Sequence, residues 1–139
     1  MNFGTLIKDG FVKKVPVDLL RAKSLIKSSE QALTTAKIIP LKDETAKTIL
    51  RELYESLRQQ CEAIGYTKGY KFLNHESITY FLEEIINEEQ ISLKFDKYRK
   101  LRNRINYYGD TVNLETVKEA LVEIPLLISK LTKYSTLKS

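Results

Sequence analysis

The sequence predicts an all-α fold, an up-and-down bundle of four main helices with a kinked fifth helix. Apolar side chains recur at steps of three and four residues through most of the chain, as on the buried face of a helix. Residues that commonly cap helices, Asp18, Asn74 and Asn113, precede these segments. Strand-like alternation is confined to residues 11–15. Pro125 lies inside the last apolar pattern, and we expect a kink there because proline lacks an amide hydrogen and crowds the preceding turn.

The first two predicted helices form a pair. The first begins after Asp18 and ends at Pro40, which does not continue a helix. The second has Asp43 as its predicted cap and ends between Gly65 and Gly69. The apolar stripe of the second helix is the most regular in the chain and consists of Ala46, Ile49, Leu50, Leu53, Leu57, Cys61 and Ile64. The turn between the two helices is short, which favours antiparallel packing.

Three further helices follow a predicted loop at residues 65–73. Asn74 is the expected cap of the third helix. The fourth begins near Ser92 and ends at Gly109, because glycine readily takes the left-handed conformation that terminates a helix. Asn113 is the expected cap of the fifth.

Length and composition indicate one globular domain over residues 1–139. The chain is 42% hydrophobic and 29% charged, with three prolines and five glycines, which excludes disordered and collagen-like chains. A chain of this size buries one core but not two. No stretch approaches the run of about 18 apolar residues needed to span a membrane, and the N-terminus lacks the apolar segment of an export signal. We therefore expect a cytoplasmic protein without membrane contact.

The cysteine and histidine content argues against metal and nucleophile chemistry. Cys61 is the single cysteine, so it cannot form an internal disulfide, as is usual in a reducing compartment. His75 is the single histidine, and zinc sites need three or four nitrogen or sulfur ligands. We expect no metal and no cofactor. Cys61 is predicted to be a core residue, and His75 an exposed residue or a local hydrogen-bonding group at the start of the third helix.

Positive charge is concentrated on the fourth helix. The formal net charge of the chain is +5. Residues 94–104 carry a single acidic residue, Asp96, against the basic residues Lys94, Lys97, Arg99, Lys100, Arg102 and Arg104. Such clustering favours an anionic partner, either nucleic acid or nucleotide.

Helical geometry separates the arginines of this cluster. Each residue advances the side chain by about 100°, so Arg102 and Asn106 share one face of the helix. Arg99 and Asn103 form a neighbouring pair. Arg104 points outward, whereas Arg102 lies on the flank of the apolar stripe and is predicted to be partly buried. A partly buried guanidinium needs acceptors, which an amide, a helix-end carbonyl or a phosphate can provide.

The end of the fourth helix brings aromatic and charged groups together. Tyr107 and Tyr108 occupy its last turn, directly before Gly109 and Asp110. Such a corner could hold a nucleotide by stacking and charge. It could equally be a structural plug in which the tyrosine hydroxyls bond to a neighbouring helix.

Three residues of the second helix flank its apolar stripe. They are Arg51, Tyr54 and Arg58. They could line a cleft beside Arg102. Residues on the flank of an apolar stripe more often lie at the protein surface, however, and we expect these three side chains to be exposed.

Four segments of the chain, in this order, carry a resemblance to a known family. They are NFGTLIKDGFVKKVPVDLLRAKSLIKSSEQAL, ETAKTILRELYESLRQQCEAIGY, LNHESITYFLEEI and FDKYRKLRNRINYYGD. Over roughly residues 1–112 the chain resembles the HEPN domain family of small archaeal and bacterial helical bundles. The resemblance implies a homodimer whose motif regions face each other and a minimal nucleotidyltransferase partner in a toxin–antitoxin-type module. It also implies metal-independent RNA cleavage in active members.

The resemblance assigns roles to individual residues. Arg102 matches the motif arginine, and Asn103 matches the polar residue that often follows it. Tyr107 stands where active ribonucleases of the family have histidine, and tyrosine, with an ordinary pKa near 10, is a poor base at neutral pH. Tyr108 and the two residues after it match the ending of members that are paired with nucleotidyltransferases. In some members a tyrosine near the motif is adenylylated, which makes Tyr107 and Tyr108 the candidates for modification.

Three hypotheses of function follow. In the first, the chain is a dimeric HEPN-like protein with little or no catalysis of its own, and it partners a minimal nucleotidyltransferase. It binds nucleotide or RNA through a basic cleft that comprises Arg99, Arg102, Asn103, Asn106, Tyr107 and Tyr108. In the second, it is a metal-independent ribonuclease toxin in which Arg102 stabilises the phosphorane and Asn103, Asn106 or Tyr107 orients the 2′-hydroxyl. The third is a structural protein-interaction scaffold.

Overall fold

The computed structural model describes residues 1–135 and has the predicted all-α architecture. This part of the chain forms six α-helices, one two-stranded sheet and a terminal 3-10 helix. The helices are α1 (Phe3–Lys8), α2 (Leu19–Ile38), α3 (Ala46–Thr67), α4 (Glu76–Glu84), α5 (Glu89–Tyr108) and α6 (Leu114–Leu131). The strands are β1 (Val12–Lys14) and β2 (Tyr70–Phe72), and the 3-10 helix is Thr132–Tyr134.

Helices α2 and α3 form the antiparallel pair that the sequence predicts. The side chain of Asp18 caps α2 by accepting from the amide of Arg21 at 2.9 Å. The amide of Asp18 donates to the carbonyl of Tyr66 at 3.1 Å, which places the start of α2 beside the end of α3. Midway, the hydroxyl of Ser29 donates to the carbonyl of Ser56 at 2.7 Å. The pair is thus fixed by buried polar contacts as well as by apolar packing.

Helix α3 is the centre of the hydrophobic core. Cys61 is fully buried in it, as predicted. The main core cluster includes residues from all six helices and both strands. Burial of a single leucine side chain contributes about 2 kcal/mol, so the regular stripe of α3 is a principal source of stability. None of the helices within residues 1–135 has the length and apolar character required to cross a membrane.

The start of α3 differs from the prediction that Asp43 caps it. The helix begins at Ala46, and the residue before it is Thr45. The hydroxyl of Thr45 accepts from the amide of Lys42 at 3.0 Å and donates to the carbonyl of Pro40 at 2.6 Å. The prediction that Asp43 caps α3 was wrong, because the hydroxyl of Thr45 makes the hydrogen bonds that stabilise the turn before the helix.

The end of α3 lies between Gly65 and Gly69, as predicted. The helix continues through Gly65 to Thr67, and Gly69, with φ +82°, turns the chain. A Cβ on Gly65 would lie 2.6 Å from the ring of Phe72. Gly65 therefore allows β2 to approach α3 closely and does not end the helix.

A small sheet forms where the sequence predicts only one strand. The alternation at residues 11–15 corresponds to β1, but its partner β2 lies in the segment 65–73, which was predicted as a loop. The strands pair antiparallel, with Val12 opposite Phe72. These two side chains are buried, and they attach the N-terminal segment to α3.

The N-terminal helix α1 was not predicted. Asn2 and Thr5 form a reciprocal capping box at its start. Phe3 and Leu6 are buried, and the amide of Phe3 donates to the carboxylate of Glu84 on α4. A helix of six residues carries too little periodicity to be recognised in the sequence.

The last three helices follow the predicted caps closely. Asn74 accepts from the amide of Ser77 at 2.9 Å at the start of α4, and Asn113 accepts from the amide of Thr116 at 2.8 Å at the start of α6. Helix α5 ends as predicted at Gly109, which has φ +65°.

The start of α5 lies earlier in the chain than predicted, and α6 contains the expected internal proline. Helix α5 begins at Glu89, before the predicted start at Ser92, and Ser92 is buried and donates to the carbonyl of Thr79 at 2.7 Å. Pro125 lies inside α6 as expected, while a kink there stays a prediction.

Candidate functional site

A cleft of about 400 Å³ lies between the start of α4 and the second half of α5. It is lined by Asn74, His75, Glu76, Arg99, Arg102, Asn103 and Tyr107. The structure thus brings four of the predicted site residues of α5 together with the single histidine. Among the lining residues, Glu76 alone carries a carboxylate, and its side chain is exposed.

Two lysines of the basic cluster share one carboxylate on α6. Lys94 and Lys97 lie 2.8 and 3.2 Å from the carboxylate of Glu123 on α6. The hydroxyl of Tyr98 donates to the same carboxylate at 2.6 Å. Burial opposes the ionisation of Glu123, but the hydrogen bonds from Lys94, Tyr98 and Lys97 outweigh it and lower its pKa to about 2. These lysines therefore hold α5 against α6.

Two more basic residues share the carboxylate of Asp96. Arg99 lies 2.6 Å from one of its oxygens and Lys100 lies 3.0 Å from the other. Burial favours the protonated acid, yet the hydrogen bonds from Arg99 and Lys100 lower the pKa of Asp96 overall. Arg99 thus lines the cleft as a partly neutralised cation.

Arg102 has no carboxylate partner among residues 1–135. Its Nη1 donates to the side-chain oxygen of Asn103 at 3.4 Å, a long contact that leaves its other donors available. The guanidinium carbon lies 5.8 Å from the centre of the Tyr54 ring. Arg102 is half-buried, as predicted, and Arg104 is exposed, also as predicted. Arg102 is therefore the cation of the cleft that is best placed to accept an anion.

Tyr54 forms the floor beneath this cation. It is 1% exposed, so the prediction that it lies at the surface was wrong. Its ring packs 5.7 Å from the ring of Phe95, centre to centre, and its hydroxyl lies 3.0 Å from Nδ1 of His75. Because α5 packs across this flank of α3, the tyrosine is covered by the helix that carries Arg102.

His75 is neither exposed nor locally bonded, which corrects the prediction. It is half-buried, and its partner Tyr54 belongs to another helix. The capping of α4 is done by Asn74, so the imidazole makes no cap hydrogen bond. Its second ring nitrogen, Nε2, is not engaged in the contact with Tyr54.

The imidazole of His75 is neutral at physiological pH. Burial lowers its pKa to about 4, and the positive charges of Arg58, Arg102 and Arg99 act in the same direction. The carboxylate of Glu55 opposes them without reversing the effect. Burial also raises the pKa of Tyr54 well above its usual value. The contact therefore joins an imidazole and a protonated hydroxyl.

Arg58 of α3 does not line the cleft and is the central cation of an ion-pair group. It contacts the carboxylates of Glu55 and Glu62, and its side chain is 16% exposed. The prediction that Arg58 lies on the surface was therefore wrong, whereas Arg51 is exposed as predicted. Because two carboxylates surround Arg58, Arg102 remains the available cation near His75.

Two predicted binding residues lie outside the cleft lining. The side-chain oxygen of Asn106 accepts from Nε of Arg51 at 2.7 Å, so it bonds to α3 and not to Arg102. Tyr108 is 78% exposed, and Tyr107, which does line the cleft, is 73% exposed. Such exposure does not fit the structural plug that was one alternative for the two tyrosines.

Residues 1–135 contain no group of three or more histidine, cysteine or acidic side chains that could hold a metal ion. Comparisons with protein-family models, curated proteins and solved structures find no match to this chain. The chemistry of the cleft therefore indicates what the protein can bind. Sequence reasoning expected Tyr54 at the surface and did not place His75 in the site, since no spacing pattern links residues on two separate helices.

Proposed function

We propose that this chain is a HEPN-like protein that binds the phosphate of RNA or a nucleotide in the cleft around Arg102. In this proposal it acts as a homodimer, in a toxin–antitoxin-type module, with a minimal nucleotidyltransferase as its partner. One observation carries the proposal: a half-buried arginine without a carboxylate partner in residues 1–135 stands in a cleft with a second arginine.

The distribution of charge on α5 supports an anionic ligand. Four of the basic residues in the cluster are paired with Asp96 or Glu123. Arg102 retains its charge and most of its donors, and a guanidinium binds phosphate through two parallel hydrogen bonds. Partial burial strengthens this interaction because the local dielectric constant is lower than in water.

The shape of the cleft supports a ligand that carries a base. Its volume of about 400 Å³ lies within the range of about 300–1,000 Å³ that is usual for small-molecule sites. The exposed ring of Tyr107 stands at its edge, where a base could stack on it. The amide of Asn103 offers both a donor and an acceptor to the sugar or the base.

The exposed tyrosines support the proposed partner. Tyr107 and Tyr108 present their hydroxyls to solvent at the end of α5, next to Gly109. A nucleotidyltransferase that adenylylates tyrosine needs such an accessible hydroxyl. This part of the proposal is tested by co-expression with the product of the adjacent reading frame, followed by mass spectrometry of the tyrosines.

Binding to a labelled single-stranded RNA and to ATP tests the proposed ligand. We expect Arg102→Ala to weaken binding by about 10-fold or more, because it removes a charge-assisted hydrogen-bonding group. Arg104→Ala is the matched control, since Arg104 is exposed and does not line the cleft. Negligible binding by both the wild type and Arg102→Ala, without a partner complex, would exclude the proposal. An effect of Arg102→Ala on stability alone would favour the scaffold hypothesis.

A second candidate function is metal-independent cleavage of RNA. The observation that favours it is that His75, at the start of α4, lines the same cleft as Asn103 and Tyr107 of α5. Arg102 would stabilise the charge that develops on the phosphorane, and Asn103 or Tyr107 would orient the 2′-hydroxyl. Incubation of the protein with an RNA pool in EDTA tests this candidate.

A further inference from the structure

We propose that His75 is the proton-transfer residue of the cleft, acting on the 2′-hydroxyl of an RNA whose phosphate is bound by Arg102. Tyr54 is its positioning residue. This inference deepens the RNA-cleaving form of the proposed function and rests on it. It differs from the family-based expectation, in which the residue at position 107 would supply the base.

The side chain of Tyr54 lies against both His75 and Arg102. The hydroxyl of Tyr54 contacts Nδ1 of His75 at 3.0 Å, and the ring of Tyr54 lies below the guanidinium of Arg102 at 5.8 Å. The rings of Tyr54 and His75 are 5.8 Å apart, centre to centre. Both His75 and Arg102 line the cleft, so a phosphate on the arginine lies close to the imidazole.

The partner of Nδ1 lets the imidazole work as both base and acid. A hydroxyl donates and accepts, so Tyr54 keeps its hydrogen bond to His75 whichever ring nitrogen carries the proton. When Nδ1 donates to Tyr54, Nε2 has a free lone pair and accepts a proton. Once Nε2 has taken that proton, the ring is an imidazolium in which Nδ1 still donates to Tyr54 and Nε2 can donate its proton as the acid.

The charges around His75 make its proton affinity depend on the ligand. The groups that face it are Tyr54, Glu55 and Arg58 of α3, Glu76 of α4, and Arg99 and Arg102 of α5. In the free protein, burial lowers the pKa of His75 to about 4, and the positive charges of Arg58, Arg102 and Arg99 add to this effect. A bound phosphate places negative charge beside Arg102, so it raises the pKa of His75 towards neutrality, where proton transfer is most effective.

The reaction balances without a metal or a co-reactant. Nε2 of His75 takes the proton of the 2′-hydroxyl as the 2′-oxygen forms a bond to phosphorus. The bond between phosphorus and the 5′-oxygen then breaks, and the imidazolium returns the proton to that oxygen. The products are a 2′,3′-cyclic phosphate and a free 5′-hydroxyl, and the imidazole is neutral again.

NMR of the imidazole is the direct test, because His75 is the single histidine and gives one set of signals. Its titration is followed between about pH 3 and pH 8, without ligand and with a 2′-O-methyl RNA, which lacks the nucleophile. We expect the bound RNA to raise the proton affinity at least about tenfold in the wild type, and not in Arg102→Ala. An unchanged titration while the RNA is bound overturns the inference alone, whereas absence of RNA binding overturns the proposed function with it.

Cleavage of an RNA pool in EDTA provides the second test. We expect His75→Gln to lose about 100-fold or more in rate while RNA binding is retained, and the wild-type product to carry a 2′,3′-cyclic phosphate. Tyr54→Phe should shift the pH–rate profile, which a purely structural role would not do. Cleavage by His75→Gln at the wild-type rate overturns the inference. Binding without any cleavage by the wild type also overturns it, and leaves the binding function standing.

Discussion

The hydroxyl of Tyr54 lies 3.0 Å from Nδ1 of His75, although 21 positions separate the two residues in the chain. Tyr54 is buried in α3, and His75 stands at the start of α4. Their contact attaches the rim of the cleft to the most deeply buried helix of the bundle. The imidazole is thereby held by the core and not by a loop alone.

Removal of this hydroxyl should destabilise the protein. We expect Tyr54→Phe to lower the free energy of unfolding by about 1–2 kcal/mol, because the half-buried Nδ1 of His75 loses its partner. Urea denaturation followed by circular dichroism measures this change. Tyr107→Phe is the control, since Tyr107 is 73% exposed, and it should change stability by less than about 0.5 kcal/mol. Equal stability of the two variants would contradict the structural role of the contact.

Helices α2 to α6 could be predicted because their signals are local. The cap Asp18, the apolar stripe of α3 and the terminating Gly109 each act within a few residues. The strand β2 could not be predicted, because its three residues are ordered by pairing with a distant strand. Its segment has no extended strand pattern of its own.

The candidate site could be predicted only where it lies on one helix. Arg99, Arg102, Asn103 and Tyr107 line the cleft from α5, and helical spacing relates them to one another. His75 joins them through tertiary packing, which spacing does not describe. Asn106 was expected beside Arg102 because of its helical position, but a hydrogen bond from Arg51 engages it elsewhere. Because Arg51 belongs to α3, this competing hydrogen bond cannot be predicted from the spacing of residues along α5.

The lowered pKa of His75 should appear in the pH dependence of stability. The pKa is about 4 in the folded protein, against an ordinary value near 6.5 in the unfolded chain. The unfolded state binds more protons between these values, so the free energy of unfolding should fall as the pH falls from about 6.5 to about 4. After allowance for solvent screening, we expect a loss of about 1–2 kcal/mol.

Urea titrations at several pH values measure this loss. His75→Gln should remove most of the slope in that window. Glu123 and Asp96 contribute only at the acid end of this window, since the stability from their lowered pKa values is lost below the ordinary pKa values of their carboxyl groups. A slope that persists in His75→Gln would show that another group titrates there.

Glu123 should be the main acid-sensitive contact between α5 and α6. Its folded pKa is about 2, below its ordinary value near 4.5, so its contribution is present above that value and is lost as the pH falls towards 2. We expect Glu123→Gln to lower the free energy of unfolding at neutral pH by about 1 kcal/mol, because the side chain is partly solvated. Glu115→Gln is the control, as the Glu115 side chain is 79% exposed in its pair with Lys118. The stability of both variants is measured by urea denaturation. Equal losses of stability would contradict the role of Glu123 in holding α5 against α6.

The salt dependence of RNA binding should identify Arg102 as a phosphate contact. Each contact between a cation and a phosphate of a single strand contributes about 0.7 to the slope of the logarithm of affinity against the logarithm of salt concentration. Arg102→Ala should therefore reduce this slope by about 0.7 and weaken binding similarly for RNAs of different sequence.

Lys94→Ala is the informative control for that measurement. Lys94 belongs to the same helix but pairs with Glu123, 2.8 Å away, and does not line the cleft. The slope should stay at the wild-type value, because a lysine paired within the protein has no phosphate to neutralise. Equal reductions in the two variants would mean that RNA follows the general positive charge of α5. A reduction confined to Arg102→Ala would place the phosphate at Arg102, in the cleft that His75 also lines.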